Sequence, residues 1–294
     1  MKDQAENLRS MVRELETKFR AQLSEFSPGR CRVIAVTSGK GGVGKTSLAL
    51  GLAITLAKAN YRVVLLDGDM GMANIDVVLG LYTKYDLSHV VKGEKGLQEI
   101  ILKGPAGMKI IPGGSGVEEL ANIDSSTLNR LFKEITLLDQ ETDYLFIDTG
   151  AGISKQVMLF LQAAEEILLV ATPEPTSLTD AYGLVKVFHR HCGKAKIKVI
   201  INMAKNKQEG TTAAQRLKRA AQSFLGVNLE ILGCVHYDPA ISNAIKRHLP
   251  YVLASPSAQA SVDTIKIASV LGEVPVKPPS GVKVFLNNLV NLFT

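Results

Sequence analysis

The eight residues from Gly39 to Thr46, GKGGVGKT, carry the pattern of a phosphate-binding loop, G-x-x-x-x-G-K-[ST]. Glycines in such a loop let backbone N–H groups close around phosphate oxygens, where a Cβ would collide. The pattern predicts that Lys45 reaches the β- and γ-phosphates and that the Thr46 hydroxyl binds Mg²⁺. The residues expected to bind the nucleotide here are Gly39, Lys40, Gly41, Gly42, Val43, Gly44, Lys45, Thr46 and Ser47.

Two aspartates are expected to act beside this loop. Asp148 follows the apolar run 144–147, and from that strand end it would hold the water shell of Mg²⁺. Asp69 follows another apolar run and is our candidate for orienting the attacking water and for contacting the metal through water. Asp67 remains an alternative, because strand-end aspartates also cap helices and turns.

These side chains need a scaffold that brings strand ends together, and the chain predicts one. Runs rich in Val, Ile and Leu alternate with helical segments, which favours an α/β fold with a mostly parallel, twisted sheet and helices on both faces. Ser177 to Asp180 has the pattern of a capping box that opens a helix ending near Gly193. The predicted strands are Val33–Thr37, Val63–Leu66, Lys109–Ile111, Tyr144–Ile147, Ile167–Ala171, Lys198–Ile201 and Ile231–Val235.

Composition narrows the class of protein. A chain of 294 residues with 46% hydrophobic residues is long and apolar enough for a large folded domain. It has no apolar run of ~20 residues, which predicts no membrane-spanning segment, and its first residues do not resemble a secretory signal. The three cysteines lie far apart, as expected for reduced thiols without a metal or iron–sulfur site. A formal charge of +6 favours anionic partners.

Both ends of the chain extend beyond the predicted scaffold. Apolar residues recur at steps of three or four over residues 1–29, which predicts a helical arm. The nucleotide-binding domain is expected over 30–274, followed by a proline-rich linker over 275–281 and an amphipathic helix over 282–294. The apolar face of that helix consists of Val282, Phe285, Leu286, Leu289, Val290 and Phe293.

The tail helix has two interpretations. Its apolar face would insert into an anionic membrane surface, or it would pack in a groove on its own domain, and the first could exchange for the second. One short helix binds lipid weakly, whereas two tails on a dimer gain from effective concentration. The pattern itself leaves both interpretations open.

The residues around the loop resemble the MinD/ParA family of P-loop ATPases, over roughly residues 31–270. The matching motifs are the loop with its extra lysine Lys40, a switch I segment at 66–76, the switch II sequence DTGAG at 148–152, the segment 172–182 and the strand-end Asn202. The resemblance implies that two monomers enclose two ATP molecules with Mg²⁺. Lys40 would then reach the phosphates of the opposite subunit, as an arginine finger does. It also implies that Asn202 reads the adenine, with Asp238 and Pro239 on the other side of the base.

Within this family, the chain is similar to the FlhG group (FleN or YlxH), which regulates flagellar number. The similarity lies in the DTGAG sequence and in a D-Q-A-x-x-L-R element made by Asp3, Gln4, Ala5, Leu8 and Arg9. It implies a homodimer in the bacterial cytoplasm that is reversibly peripheral on the inner face of the cell membrane. Expected partners are the GTPase FlhF, which Gln4 would stimulate, and flagellar C-ring components. Asp3 and Glu6 would equally suit a helix N-terminus.

Three other functions compete with this one. A ParA-type ATPase that partitions DNA or cargo or positions cell division would need non-specific DNA binding with a steep salt dependence. The arm and the apolar tail argue against this function, and no specific nucleic acid is expected as a partner. An iron–sulfur carrier normally needs a Cys-x-x-Cys pair, which this sequence lacks. A small-molecule ligase on the same fold would not need an apolar terminal helix.

Overall fold

A computed structural model gives the architecture of residues 31–69, 75–114, 134, 138–191, 195–273, 285, 286, 288 and 289. It contains an eight-stranded sheet in the order β3-β4-β2-β5-β1-β6-β7-β8. All neighbouring strands are parallel except β3 and β4. The predicted α/β class, with a mostly parallel sheet between helices, is confirmed.

The elements are numbered along the chain. The strands are β1 (Arg32–Ser38), β2 (Val63–Gly68), β3 (Leu102–Lys103), β4 (Lys109–Ile111), β5 (Tyr144–Ala151), β6 (Glu166–Ala171), β7 (Lys196–Ala204) and β8 (Glu230–His236). The helices are α1 (Lys45–Lys58), α2 (Ile75–Leu79), α3 (Leu87–Val91), α4 (Leu97–Ile100), α5 (Lys155–Ala163), α6 (Pro175–Arg190), α7 (Lys207–Leu225), α8 (Pro239–Lys246), α9 (Tyr251–Ala254) and α10 (Gln259–Glu273).

Alternating side chains of the central strands divide the core into two layers. Val33 and Ala35 of β1 pack on one face of the sheet with α5, α6 and α7. Ile34 and Val36 pack on the other face with α1 and α10. All four side chains are fully buried, which explains why these strands appear as continuous apolar runs in the sequence.

Three strand predictions need correction. β7 runs from Lys196 to Ala204 rather than from Lys198 to Ile201, so Asn202 lies within the strand. The antiparallel edge strand β3 was missed, because two residues carry no periodic signal. β5 does not end at Ile147 but continues to Ala151, since Ala151 pairs with Ser38 of β1 after a shift in register. The predicted switch II sequence therefore begins inside the sheet and is fixed to the strand that leads into the phosphate loop.

The predicted capping box at Ser177 is wrong. The helix α6 begins two residues earlier, with Pro175 in its first turn after Glu174. Proline has the backbone angle of a first helical residue, and it starts the helix there. The Ser177 hydroxyl instead accepts a hydrogen bond from the N–H of Thr172 at 2.9 Å, which closes the turn after β6. The helix ends at Arg190, before the predicted Gly193.

A cluster of charges lies near the amino-terminal ends of β1, β6 and β7. Glu166 accepts hydrogen bonds from Nε and Nη2 of Arg32 at 2.9 and 2.7 Å. Its other oxygen lies 2.6 Å from Nζ of the buried Lys198. Arg32 also donates to the carbonyl of Leu271 at 2.6 Å, which attaches the end of α10 to the sheet.

The tail packs on its own domain where it is described. Phe285, Leu286 and Leu289 are buried in the same core layer as α5. The ring of Phe285 stacks on Phe160 of α5, with centroids 6.4 Å apart and planes 7° from parallel. This placement matches the groove interpretation, whereas the other predicted apolar tail residues, Val282, Val290 and Phe293, and the arm residues 1–29 lie outside the described residues.

In the part of the chain that the structure describes, each helix is too short or too polar to cross a lipid bilayer.

Candidate functional site

The phosphate loop connects the carboxyl end of β1 to α1. Gly44 precedes α1 with φ 79°, a left-handed conformation that glycine adopts without strain. A Cβ on Gly44 would lie 2.4 Å from the side-chain nitrogen of Asn202, and one on Gly39 would lie 2.3 Å from the backbone of Asp180. Both positions therefore require glycine, and the loop is fixed between β7 and α6 before any phosphate binds.

Lys45, Thr46 and Asp148 meet below the loop. Lys45 Nζ lies 2.8 Å from Oδ1 of Asp148, and both side chains are buried. The Thr46 hydroxyl also bonds to this carboxylate. Burial raises the pKa of Asp148, because the ion pair with Lys45 and the two hydrogen bonds only partly offset the loss of water. The structure thus brings together the predicted phosphate lysine and the predicted metal ligands.

The two aspartates after β2 differ in their surroundings. Asp67 is buried, and its carboxylate accepts hydrogen bonds from the N–H groups of Asp69 and Ile75, both at 3.2 Å. The Asp69 carboxylate faces switch II, since a Cβ on Gly150 would lie 3.5 Å from Oδ1 of Asp69. Its negative charge is also felt at Asp148. The Asp67 carboxylate is engaged in hydrogen bonds to the backbone of the segment that follows β2. This arrangement favours Asp69 over Asp67 as the residue that orients the attacking water.

Lys40 lies on the rim of the loop rather than inside it. Its Nζ lies 2.6 Å from Glu174 and 3.3 Å from the Thr176 hydroxyl, at the beginning of α6. About a third of the Lys40 side chain and about two thirds of the Glu174 side chain are exposed, at 32% and 64%. The ammonium group is therefore held at the surface by an exposed ion pair.

Asn202 occupies the opposite side of the loop. It is 3% exposed, and its Nδ2 donates to the carbonyl of Val43 at 2.8 Å. Its Oδ1 accepts no hydrogen bond from any residue that the structure describes. Met203, which follows, has φ 59°, a strained conformation at the irregular pairing between β7 and β8. The amide nitrogen of Asn202 therefore faces the loop, and its buried Oδ1 is an acceptor that an exocyclic amino group would satisfy.

Asp238 and Pro239 begin α8. The Asp238 carboxylate accepts from the N–H of Ala240 at 2.9 Å and from that of Ala260 at 3.4 Å. Its side chain thus caps the helix, so a contact with a base from this position would come from the backbone or from Pro239. The neighbouring Tyr237 is 65% exposed and was not singled out from the sequence.

The sequence also gave no role to Glu174. It is the partner of Lys40 although 134 positions separate them, so no local pattern connects the two residues. The one available signal is its place directly before Pro175, at the start of a helix. The arm residues Asp3, Gln4, Ala5, Leu8 and Arg9 lie outside the described residues, and their predicted role stays a prediction.

The oxygen donors of this site suit Mg²⁺. Thr46 and Asp148 present a hydroxyl and a carboxylate to the same place, and Asp69 adds a second carboxylate nearby. No group of three or more His, Cys, Asp or Glu side chains that could hold a metal occurs among the described residues. A metal here would therefore be bound by few protein ligands together with phosphate oxygens and water, as is typical of Mg²⁺.

Comparison with known families and sequences gives consistent results. The family model ParA, described as NUBPL iron-transfer P-loop NTPase, matches residues 30–271. The antiactivator FleN of Pseudomonas aeruginosa is 38% identical over 261 residues, which cover 88% of this chain and 93% of FleN. The flagellum site-determining protein YlxH of Helicobacter pylori is 38% identical over 223 residues, covering 75% of this chain and 74% of YlxH.

Solved structures of two cell division proteins have the same architecture. MinD of Aquifex aeolicus superposes with a TM-score of 0.66 at 29% identity, over 84% of this chain and 99% of MinD. MinD of Pyrococcus horikoshii, which was solved in complex with Mg-ADP, gives 0.67 at 28% identity, over 83% of this chain and 96% of MinD.

Proposed function

The chain belongs to the ParA/MinD family of P-loop ATPases, in the group of FleN and YlxH, and on that premise we propose that ATP makes two copies pair face to face. The pair is the state that the membrane and partner proteins bind, and hydrolysis of ATP ends it. The protein is then a switch that sets flagellar number or placement together with the GTPase FlhF.

The position of Lys40 is the observation that carries this proposal. Its ammonium group pairs with Glu174 on the rim and is not buried beside Lys45 and Asp148. An exposed ion pair is worth roughly 0–1 kcal/mol, so a triphosphate on a second copy would displace it at little cost. Lys40 would then stabilise charge that develops on the phosphates of the other subunit, and turnover would require pairing.

Hydrolysis is assigned to the residues below the loop. Lys45 would turn from Asp148 to the β- and γ-phosphates, and Asp148 would then accept hydrogen bonds from metal-bound water. Thr46, and through water Asp148 and Asp69, would hold Mg²⁺, which would neutralise charge on the phosphates when bound. Asp69 orients the attacking water. The closeness of Lys45, the Thr46 hydroxyl and the Asp148 carboxylate supports these roles.

Adenine recognition is assigned to Asn202. Its buried Oδ1 is an acceptor without a partner among the residues described above, and the N6 amino group of adenine is a donor. Guanine carries an oxygen at the equivalent position, which would leave two acceptors facing each other. Asp238 and Pro239 would lie on the other side of the base.

The tail is proposed to exchange its groove for lipid. Phe285, Leu286 and Leu289 cover α5, the helix that follows switch II, and Asn288 adds a hydrogen bond to the Ala163 carbonyl at 3.4 Å. A change in switch II on pairing would disturb this contact, and two released tails would bind an anionic membrane together. Full-length protein should co-sediment with phosphatidylglycerol vesicles in ATP, and a variant ending at residue 281 should not.

The arm is proposed to bind FlhF, with Asp3, Gln4, Ala5, Leu8 and Arg9 in contact and Gln4 stimulating GTP hydrolysis there. A glutamine amide both donates and accepts, which suits the orientation of water. Flagellar C-ring components are further expected partners. Replacing Gln4 by Ala should remove the stimulation of FlhF and leave ATP turnover unchanged.

The central test is the mass of the protein with a non-hydrolysable ATP analogue and Mg²⁺. Light scattering should give twice the monomer mass for the wild type and the monomer mass for Lys40→Ala, while both bind a fluorescent ATP analogue. Turnover of Lys40→Ala should fall about 10³-fold or more, as on loss of an arginine finger. The control Lys58→Ala removes an exposed lysine at the end of α1. Unchanged mass and turnover in Lys40→Ala would contradict the proposal.

A further inference from the structure

The turn that follows helix α8 contains a residue type that is unusual for its backbone conformation. His248 has φ 53°, in the left-handed region. The N–H of His248 bonds to the Ile245 carbonyl at 3.0 Å, and the N–H of Leu249 bonds to that of Ala244 at 3.1 Å. This pair of bonds forms a Schellman motif, whose left-handed position is usually glycine. A side chain is therefore kept here against a backbone preference.

The histidine ring connects α8 to α2. Nδ1 of His248 donates to the carbonyl of Val77 at 2.6 Å. Val77 lies in the five-residue helix α2, and its carbonyl also accepts a hydrogen bond from the N–H of Gly80 at 3.2 Å. Gly80, at the end of α2, has φ 61°, and a Cβ there would lie 3.2 Å from the Cβ of His248. The two helix ends thus fit each other, one with glycine and one with histidine.

From α2 the contacts continue to the proposed water-positioning residue. The first residue of α2, Ile75, donates its N–H to the buried carboxylate of Asp67 at 3.2 Å. The same carboxylate accepts from the N–H of Asp69, also at 3.2 Å. A displacement of α2 therefore acts on the carboxylate that fixes the backbone of Asp69.

The other end of α8 is the segment assigned to the nucleobase. Asp238 caps the helix and Pro239 is its first residue, so the whole helix lies between the base segment and His248. We propose that His248 is a positioning residue that couples occupancy of the base site to the placement of Asp69, so that a bound adenine accelerates hydrolysis at the far side of the phosphates. This inference rests on the proposed function, since it assigns the base and the water to these two places.

Coupling between the base site and Asp69 can be distinguished from a structural role of His248 by comparing the turnover of different triphosphates. If His248 has only a structural role, its loss lowers turnover of every triphosphate by a similar factor. If it transmits the presence of the base, its loss lowers turnover of ATP and leaves that of a triphosphate without a base nearly unchanged. The comparison is a cycle in which the base and the ring are removed separately and together.

The experiment measures kcat with saturating ATP and with saturating ribose 5-triphosphate for the wild type and His248→Gly. Glycine keeps the left-handed backbone and removes only the ring. The ratio of the two kcat values should fall about fivefold or more in His248→Gly, the size of a modest coupling between sites, with KM for ATP within about twofold.

A matched control is available at Asn60. This residue also has a left-handed backbone, φ 68°, at the end of α1, and the N–H of Tyr61 bonds to the Leu56 carbonyl as in the motif at α8. Asn60→Gly should keep the wild-type ratio. His248→Asn, which retains a donor and tolerates this backbone, should recover part of it.

The outcomes separate this inference from the function it rests on. An active wild type with a ratio near one, or a ratio kept in His248→Gly, would overturn the role of His248 alone. A wild type that does not hydrolyse ATP would overturn the proposed function, and the coupling with it.

Discussion

Two carboxylates at opposite ends of the sheet, the buried Asp148 and the mostly buried Glu166, have different partners. Asp148, at the carboxyl end, faces one lysine, Lys45. Glu166, near the amino end, faces both Arg32 and Lys198. Burial raises the pKa of Asp148, and its partners do not compensate for it. Burial would also raise the pKa of Glu166, but Lys198 and Arg32 outweigh it and lower the value.

The difference indicates which ion pair breaks during function and which one stabilises the fold. A carboxylate with two cations and a lowered pKa is held in its charged form and stabilises the fold. A carboxylate with one lysine and a raised pKa is incompletely satisfied, and perturbed groups of this kind are typical of functional sites. We therefore expect the pair of Asp148 to matter for turnover and the cluster of Glu166 to matter for stability.

Replacing Glu166 by Gln should have the largest effect on folding. It leaves the buried Lys198 and the partly buried Arg32 without their anion, and breaking a buried ion pair costs up to about 3–5 kcal/mol. Urea unfolding at pH 7 should show this loss, and Asp148→Asn should show a smaller one together with lost ATP turnover. Glu230→Gln, at an exposed site on β8, is the control. Equal losses of stability in Glu166→Gln and Asp148→Asn would contradict the division into a stabilising and a functional carboxylate.

Lowering the pH should change the contributions of Glu166 and Asp148 to the unfolding free energy in opposite directions. Because the pKa of Glu166 is lowered by folding, its stabilisation is present above its ordinary value of 4.5 and is lost as the pH falls through the folded value. Because the pKa of Asp148 is raised by folding, the native state takes up this proton first and gains stability as the pH falls towards 3.8. From pH 7 to 3.5, the unfolding free energy should therefore fall less in Glu166→Gln than in the wild type, and more in Asp148→Asn. Parallel curves would contradict this assignment.

The exposed pair of Lys40 and Glu174 should give the smallest effect on stability. Glu174→Gln should change the unfolding free energy by less than about 1 kcal/mol, since both side chains are solvated. It should nevertheless lower the concentration at which ATP pairs two copies, because Lys40 is no longer held on its own subunit. Light scattering across a dilution series measures this, and pairing that weakens in Glu174→Gln would contradict the restraining role of the ion pair.

Local chemistry made the phosphate site predictable from sequence. The loop motif needs adjacent residues, and the strands around it are continuous apolar runs because helices cover both faces of the sheet. Asp148 was found since it follows such a run directly. The start of α6 was misplaced because a serine hydroxyl can cap a helix or close a turn. In the structure, the Ser177 hydroxyl accepts a hydrogen bond from the N–H of Thr172 and closes the turn before the helix.

Contacts between distant parts of the chain were beyond the sequence. Lys40 meets Glu174, and His248 meets Val77, only after the sheet has assembled. For the tail, amphipathic spacing defined an apolar face, but lipid and protein bury such a face equally well. The packing of Phe285 on Phe160 depends on the shape of α5, which no pattern in the tail reveals.

The docked tail has a consequence for biogenesis. Phe285, Leu286 and Leu289 follow every strand in the chain, so a ribosome makes them after the sheet and α5. Domains fold as units during synthesis, and the part of α5 that the tail covers is then exposed for an interval. Chains stalled or cut before residue 285 would keep that surface uncovered, and they would be the molecules most prone to associate with one another or to need a chaperone.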